Sequence, residues 1–214
     1  MSERDAAEPR PTSDGRSMRR LLVSVFALVT MVSATTVVSA HGFQTALPSR
    51  AYLCQRGAIP CGDIKYEPQS LVGPNQFPQA GPVDGEICSA GLPQFGELNK
   101  TRISKSQPWP TANVLPGSTH NFRWTITARH HTTTFRYYMT REGWQPDAWL
   151  SRAQLDPVPF AVVDYHGQLV GASVSHDVTL PVGKQGRHMI LAVWDYANEP
   201  QAVYNCSDVF FPRD

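Results

Sequence analysis

The sequence lacks the short motifs that mark several large enzyme classes. It contains no G-x-S-x-G, no phosphate-binding glycine loop, no H-E-x-x-H and no C-x-x-C pair. Its carboxylates are scattered, so their spacing nominates no pair of glycosidase carboxylates. It also lacks an excess of charge, with 19 basic against 18 acidic side chains. This balance gives no electrostatic case for nucleic acid or an anionic membrane as a partner.

The first 40 residues have the pattern of a secretion signal. Arg19 and Arg20 precede the apolar stretch LLVSVFALVTMV, and small residues follow at 38–40. The apolar stretch is too short and too soon interrupted by Ser and Thr to span a bilayer. We therefore predict that residues 1–40 are removed and that residues 41–214 form one secreted domain.

Most of the predicted mature chain has the pattern of β-strands. NFRWTIT and TTTFRYYMT alternate apolar and polar residues, while HMILAVWD and AVYNCSDVFF have the length and apolar character of core strands. Residues 50–116 are rich in Gly and Pro and show little periodicity, which indicates one long irregular excursion. Residues 143–155 suggest a short helical turn. The pattern predicts an all-β sandwich that carries a large loop excursion.

Four cysteines lie in the predicted exported part, which favours two disulfides. Three pairings are open from the sequence alone.

The histidines are the main candidates for chemistry, and His41 differs because cleavage would make it the first residue. Its α-amine, with a pKa of about 7.7–8.0, would be the most easily deprotonated aliphatic amine of the chain. With its own Nδ1 it can chelate a metal, and a third nitrogen would complete a planar site that favours Cu(II). His130 and His131 are the candidates for that nitrogen. On an alternating strand they point to opposite faces, and spacing does not choose between them.

Several stretches resemble one protein family, in order and with similar spacing: HGFQTALPSRAYLC, IKYEPQSL, FPQAGPVDG, ITARHHTTTFRYYMT and HMILAVWD. The family is that of the bacterial lytic polysaccharide monooxygenases, auxiliary activity family 10. These were formerly called family 33 chitin-binding proteins, and their domain is also known as the chitin-binding type-4 domain. The resemblance covers nearly all of residues 41–214. It implies a fibronectin type III or immunoglobulin-like β-sandwich with one copper ion per chain.

The resemblance also implies roles for single residues around the copper. Through the Ala-Arg-His motif, His130 becomes the second ligand beside His41, and these two are the implied catalytic and metal-binding residues. Ala128 matches the small residue beside one axial copper position. Val203 matches the other axial position, where many relatives carry Phe, so we expect a more open site with altered redox behaviour.

A second set of implied residues contacts the polysaccharide. Tyr66 matches an exposed aromatic residue that lies against the crystalline surface. The remaining implied contacts are Glu67, Thr127 and Gln201. Two acidic positions of relatives are replaced here, by Val72 and Asn198.

The resemblance implies a disulfide between Cys54 and Cys61 near the mature N-terminus. We expect Cys88 to pair with Cys206, which would tie the loop region to the last strand.

We therefore predict a secreted, monomeric copper monooxygenase that cleaves crystalline chitin oxidatively, with C1 oxidation expected. A small molecule or a protein would donate the electrons. Three alternatives remain: a cellulose-active monooxygenase, a non-catalytic chitin-binding protein and an exported copper-transfer protein. The departures at Val72, Val203 and Asn198 leave room for the non-catalytic alternative.

Overall fold

The computed structural model describes residues 41–213 of the chain. The predicted secretion signal, residues 1–40, lies outside the described residues. Within them, no helix is long and apolar enough to cross a bilayer.

Nine strands form the framework of the described residues. They are β1 His41–Gln44, β2 Val72–Pro74, β3 Ala112–Asn113, β4 Thr119–Ala128, β5 His131–Met139, β6 Ala161–Leu169, β7 Ser173–Thr179, β8 Gly186–Tyr196 and β9 Gln201–Phe211. Between residues 41 and 213, helical structure is limited to α1, Arg50–Gln55, and four 3₁₀ helices: Gly62–Lys65, Ile87–Ser89, Pro93–Asn99 and Arg152–Gln154.

The strands make two sheets. The smaller has the order β1-β4-β7, and the larger has the order β2-β9-β8-β5-β6, with β3 paired to β9. All pairings are antiparallel except the one between β3 and β9. This architecture confirms the all-β sandwich that the sequence predicts.

The alternation of β4 and β5 places their large side chains between the sheets. Phe122 and Trp124 of β4 and Phe135 of β5 are fully buried in this layer, together with Trp194 of β8. The larger sheet is covered on its other face too, because the loop excursion packs there against Tyr138 and other residues of β5, β8 and β9. Burial on both faces explains why β8 reads as one continuous apolar run.

The loop excursion is fastened to the last strand by covalent and ionic links. The Cys88–Cys206 disulfide joins it to β9, and the Cys54–Cys61 disulfide closes a short loop after α1. Arg50 of α1 donates from Nε to Asp208 Oδ2 of β9 at 2.7 Å, in a contact almost closed to solvent. The excursion is therefore an ordered layer of the domain.

Candidate metal centre

His41 begins β1 at one edge of the smaller sheet. In the antiparallel pairing it lies opposite Ala128, the last residue of β4. Its carbonyl oxygen accepts a hydrogen bond from Thr127 Oγ1 at 3.3 Å. The next residue must be glycine, because a Cβ at Gly42 would lie 2.9 Å from the Trp194 ring. The His-Gly pair thus lets the main chain of β1 approach the core closely.

His130 occupies the connection between β4 and β5, two residues after Ala128. Its ring stacks on Tyr196, with centroids 4.7 Å apart and planes 7° from parallel. Its Nε2 lies 3.1 Å from Glu199 Oε1, and its Nδ1 lies 3.3 Å from the His131 carbonyl oxygen. The imidazole is consequently held from several sides and is mostly buried.

The structure separates the two consecutive histidines. His131 is exposed and directs Nδ1 to the carbonyl oxygen of Gly167 in β6, at 2.8 Å. His130 instead turns toward the connection between β8 and β9, which supplies Glu199. Ala128, the pairing partner of His41, lies two residues before His130 in the chain.

The donor set at this edge fits a nitrogen-bound metal in which the main chain takes part. Among residues 41–213, no three His, Cys, Asp or Glu side chains gather in a group that could hold a metal ion. Side chains alone therefore do not make a site, and the His41 nitrogen, if free, is the additional donor available. Glu199 Oε2 is buried without a hydrogen-bond partner among the described residues, as expected beside a site that favours positive charge. An all-nitrogen set of this kind suits Cu(II).

The sequence pattern gave no signal for two neighbours of His130. Tyr196 and Glu199 follow it by 66 and 69 residues and approach through the pairing of β8 with β5. Burial raises the pKa of the Tyr196 hydroxyl, and the negative charge of Glu199 raises it further. Tyr196 is therefore a neutral aromatic plane at ordinary pH.

The residues implied at the axial copper positions differ in burial. Ala128 is half-buried at the end of β4. Val203 is fully buried in β9, where it lies opposite Val72 on one side and Trp194 on the other. Val203 is therefore a core residue that water does not reach.

The Tyr-Glu-Pro-Gln motif lies next to β1. The Gly42 amide donates to the Gln69 carbonyl oxygen at 3.2 Å, which holds the end of the motif beside His41. Tyr66 is 71% exposed at the end of a 3₁₀ helix, with Lys65 Nζ 4.5 Å from the ring centroid. Glu67 and Thr127 are also exposed, whereas Gln201 is half-buried at the start of β9. Of these residues, Thr127 contacts His41 directly, and Tyr66 and Glu67 belong to the motif whose end contacts Gly42.

Comparison with known proteins agrees with the fold. The family model described as "Lytic polysaccharide mono-oxygenase, cellulose-degrading" matches residues 41–209. An AA10 lytic polysaccharide monooxygenase from Streptomyces lividans is 46% identical with a TM-score of 0.78, and the match covers 80% of this chain and 100% of that one. A Bacillus amyloliquefaciens CBM33 solved in complex with Cu(I) is 34% identical with a TM-score of 0.71. That match covers 80% of this chain and 99% of the Bacillus chain.

Curated relatives agree as well. GlcNAc-binding protein A of Aliivibrio fischeri is 36% identical over 209 residues, which are 91% of this chain and 42% of that protein. The chain spans about half the length of the curated relatives it matches. Because the family model covers most of the chain and the Streptomyces structure is matched over its whole length, the chain belongs to the lytic polysaccharide monooxygenases of auxiliary activity family 10.

Proposed function

We propose that this chain, once residues 1–40 are removed, is a secreted copper-dependent monooxygenase that cleaves crystalline chitin oxidatively, chiefly at C1. The observation that carries the proposal is the pairing of His41 with Ala128, two residues before His130. This register supports a site in which a prospective N-terminal amine, its imidazole and the His130 imidazole would meet at one edge of the sandwich.

His41 and His130 would hold the copper ion, through the amine and Nδ1 of the former and the ring of the latter. Copper bound there would supply one-electron redox chemistry toward dioxygen or peroxide. The nitrogens must be unprotonated to bind it, so copper affinity should fall in acid.

The chain's own contribution is to fix the second imidazole before metal arrives. Tyr196 stacks on the His130 ring, and Glu199 contacts its Nε2. A ring already held in one orientation loses little rotational freedom when it binds a metal. Glu199 would have to give up its contact with Nε2 if that atom became the ligand. Its carboxylate would then remain as a negative charge next to the cation.

The substrate contact would form around Tyr66. Its exposed ring can pack on the C–H face of a pyranose, and Glu67, Thr127 and Gln201 can exchange hydrogen bonds with hydroxyl or acetamido groups. The near-neutral charge of residues 41–214 suits an uncharged polymer.

The reaction inserts one oxygen atom into a C–H bond at the glycosidic carbon. Hydrogen peroxide can supply that atom, with one water released. Alternatively, dioxygen supplies it together with two electrons and two protons, again with one water released. The hydroxylated carbon then eliminates, and the glycosidic bond breaks. At C1 the new end is a lactone, which takes up one water to become an aldonic acid.

Chitin and cellulose both need testing. The name of the Aliivibrio relative refers to N-acetylglucosamine, whereas the description of the matching family model refers to cellulose. We favour chitin because the Tyr66–Gln69 segment resembles the motif of chitin-active relatives.

The test is mass spectrometry of soluble products from β-chitin and, separately, from cellulose. Protein that begins at His41 is loaded with copper and supplied with ascorbate and trace peroxide. We expect chito-oligosaccharides about 16 Da heavier than the native series and dependent on the reductant. The matched control carries one additional residue before His41, which blocks the amine, and should form no such products.

The other outcomes separate the alternatives. Oxidised products from cellulose alone would make cellulose the substrate. Binding to chitin without oxidised products from either polymer would indicate a non-catalytic binding protein. Tight copper binding without affinity for either polymer would indicate a copper-transfer protein.

A further inference from the structure

Trp149 differs from the other four tryptophans in its surroundings. The indole N–H groups of Trp109, Trp124, Trp144 and Trp194 each donate to a protein oxygen, at distances between 2.6 and 3.1 Å. Trp149 is 59% exposed, and its N–H has no partner among residues 41–213. A large apolar ring and an unpaired N–H donor thus face the solvent together. In most proteins a Trp ring is largely buried and its N–H is hydrogen-bonded.

The ring stands between two grooves of opposite character. One has a volume of about 470 Å³ and is lined by Asp84, Gly85, Glu86 and Ser151 together with Trp149. The other, of about 330 Å³, extends from the ring to the polar and basic segment 100–105. Gly85 lies beside the ring, since a Cβ there would be in ordinary van der Waals contact with it at 3.5 Å, and its positive φ of +87° favours glycine. Both volumes are within the usual range of small-molecule sites.

Arg152 makes the segment around Trp149 rigid. Its guanidinium joins this segment to the loop excursion through the carbonyl oxygens of Pro78, Ala80 and Pro82 and the carboxylate of Asp84. The Gly85 amide donates to the Leu150 carbonyl oxygen at 2.8 Å. Leu150 is buried, which anchors the chain directly after Trp149. The exposed ring therefore belongs to a fixed surface, as a binding group that is organised in advance requires.

The loop that carries Trp149 is attached far from the candidate metal centre. Strand β5 begins at His131, next to His130, and its nine residues extend about 26 Å to Met139. Thr140 bridges to Leu155 at the far end of that strand. Trp149 lies in the loop between those two residues, and this loop begins and ends at the end of β5 opposite His131.

We propose that the Trp149 groove is a second carbohydrate-binding site, which takes a pyranose unit of a neutral polysaccharide chain. A pyranose presents an apolar C–H face, which the indole plane would cover. It also carries equatorial hydroxyl or acetamido groups, for which Glu86, Ser151 and the indole N–H are suitable partners. The ligand class follows from this chemistry and from family membership, and it does not depend on copper or on oxidation. Such a site would increase retention on an insoluble polymer by providing a second, separate contact.

The first experiment uses nuclear magnetic resonance of copper-free protein with ¹⁵N-labelled tryptophan. The Trp149→Leu variant assigns the signal. Chitohexaose and cellohexaose are then added in separate titrations. We expect the Trp149 indole signal to shift and saturate with at least one sugar, while the four internal indole signals stay fixed and report an intact fold. No Trp149 shift with either sugar at millimolar concentration would overturn the proposal, as would an equal shift of all five signals.

The second experiment measures retention on insoluble chitin and cellulose in a Tyr66→Ala background, which weakens the contact near the metal centre. Adding Trp149→Ala should lower the remaining affinity by about tenfold, the usual loss for an aromatic anchor. Adding Val158→Ala, a change at another exposed apolar residue, should leave it unchanged. Equal retention of the Trp149 and Val158 variants would overturn the proposal. Neither readout depends on oxidised products. If the Trp149 signal shifts with sugar but the protein forms no oxidised products, the proposed oxidation is refuted and the proposed Trp149 site is not.

Discussion

Val72 and Val203 lie directly opposite each other, across the pairing of β2 with β9. Val203 is fully buried, and Val72 is half-buried and packs on the same hydrophobic cluster. These are two of the positions where we expect the sequence to depart from many members of the resembled family, which often carry an acidic residue at the first and Phe at the second. Because the two side chains are neighbours, we expect the two replacements by valine to influence each other's effect on stability.

This pairing predicts that Val203→Phe alone will destabilise the protein. A larger ring in a closed core should reduce the free energy of unfolding by about 1–3 kcal/mol. Adding Val72→Ala should recover part of that loss, with a coupling above about 0.5 kcal/mol in urea unfolding. Val162→Phe, at an exposed position on β6, is the control and should change stability little. Strictly additive effects of the two core changes would contradict the coupling.

The separate surroundings of the consecutive histidines predict unequal effects on copper binding. His130→Ala should weaken copper affinity by at least about a hundredfold, because the variant loses an imidazole ligand. His131→Ala should leave affinity within about threefold, since that ring contacts Gly167 in β6. Isothermal titration of both variants, each beginning at His41, measures this difference. The reverse order of effects would transfer the ligand assignment to His131.

A buried histidine predicts loss of stability in acid. The two ring nitrogens of His176 contact the Tyr137 and Tyr165 hydroxyls, and burial lowers the pKa of His176 from 6.5 to about 4. Between these values the unfolded chain binds the proton and the folded chain does not. The contribution of neutral His176 to the free energy of unfolding is therefore fully present above about pH 6.5. It decreases as the pH falls toward 4.

The size of this effect is measurable by urea unfolding at pH 7 and pH 4.5. His176 should contribute a loss of about 2 kcal/mol over that interval. The His176→Gln variant cannot take up this proton, so its free energy of unfolding should fall by about 2 kcal/mol less than that of the unmodified protein. Protonation of carboxylates lowers the stability of both proteins equally. Identical pH dependence in the two proteins would contradict the prediction.

The two disulfides should stabilise the domain unequally. Cys88–Cys206 closes a separation of 118 residues, against 7 for Cys54–Cys61. In the chain-entropy model they contribute about 5 and about 2 kcal/mol respectively. Replacing each pair by alanine should therefore lower the melting temperature more for the Cys88–Cys206 pair. All four sulfurs are buried, so the two variants lose similar packing. A larger loss from the short loop would contradict the entropic explanation.

The sequence predicted the long central strands well, because their patterns are set by burial. The alternation around Trp124 and the apolar run of β8 both match observed strands. Strands β6 and β7 were not predicted. In β7 buried and exposed residues alternate regularly, but one of the buried residues is the polar His176. Its hydrogen bonds with Tyr137 and Tyr165 compensate for its burial. The helical turn expected within 143–155 is the 3₁₀ helix Arg152–Gln154.

The candidate site was only partly accessible from the sequence. Motifs gave His41 and His130, but the contacts of Glu199 and Tyr196 with His130 depend on the register between strands far apart in the chain. Trp149 carried no periodic signal, because it lies in a loop. It stands out only through the exposure of its ring, which the sequence does not reveal. Such relationships come from tertiary structure, which local patterns do not encode.

The last strand, β9, pairs with β2, β3 and β8. During synthesis none of these three pairings can form until residues 201–211 have emerged from the ribosome. Strands β2 and β9 are also separated by more than a hundred residues, so closing that contact costs entropy before it adds stability. The β2, β3 and β8 pairings of β9 must therefore form after β5, β6 and β8 have been synthesised. Refolding should take milliseconds to seconds, as is usual for sandwiches dominated by distant contacts.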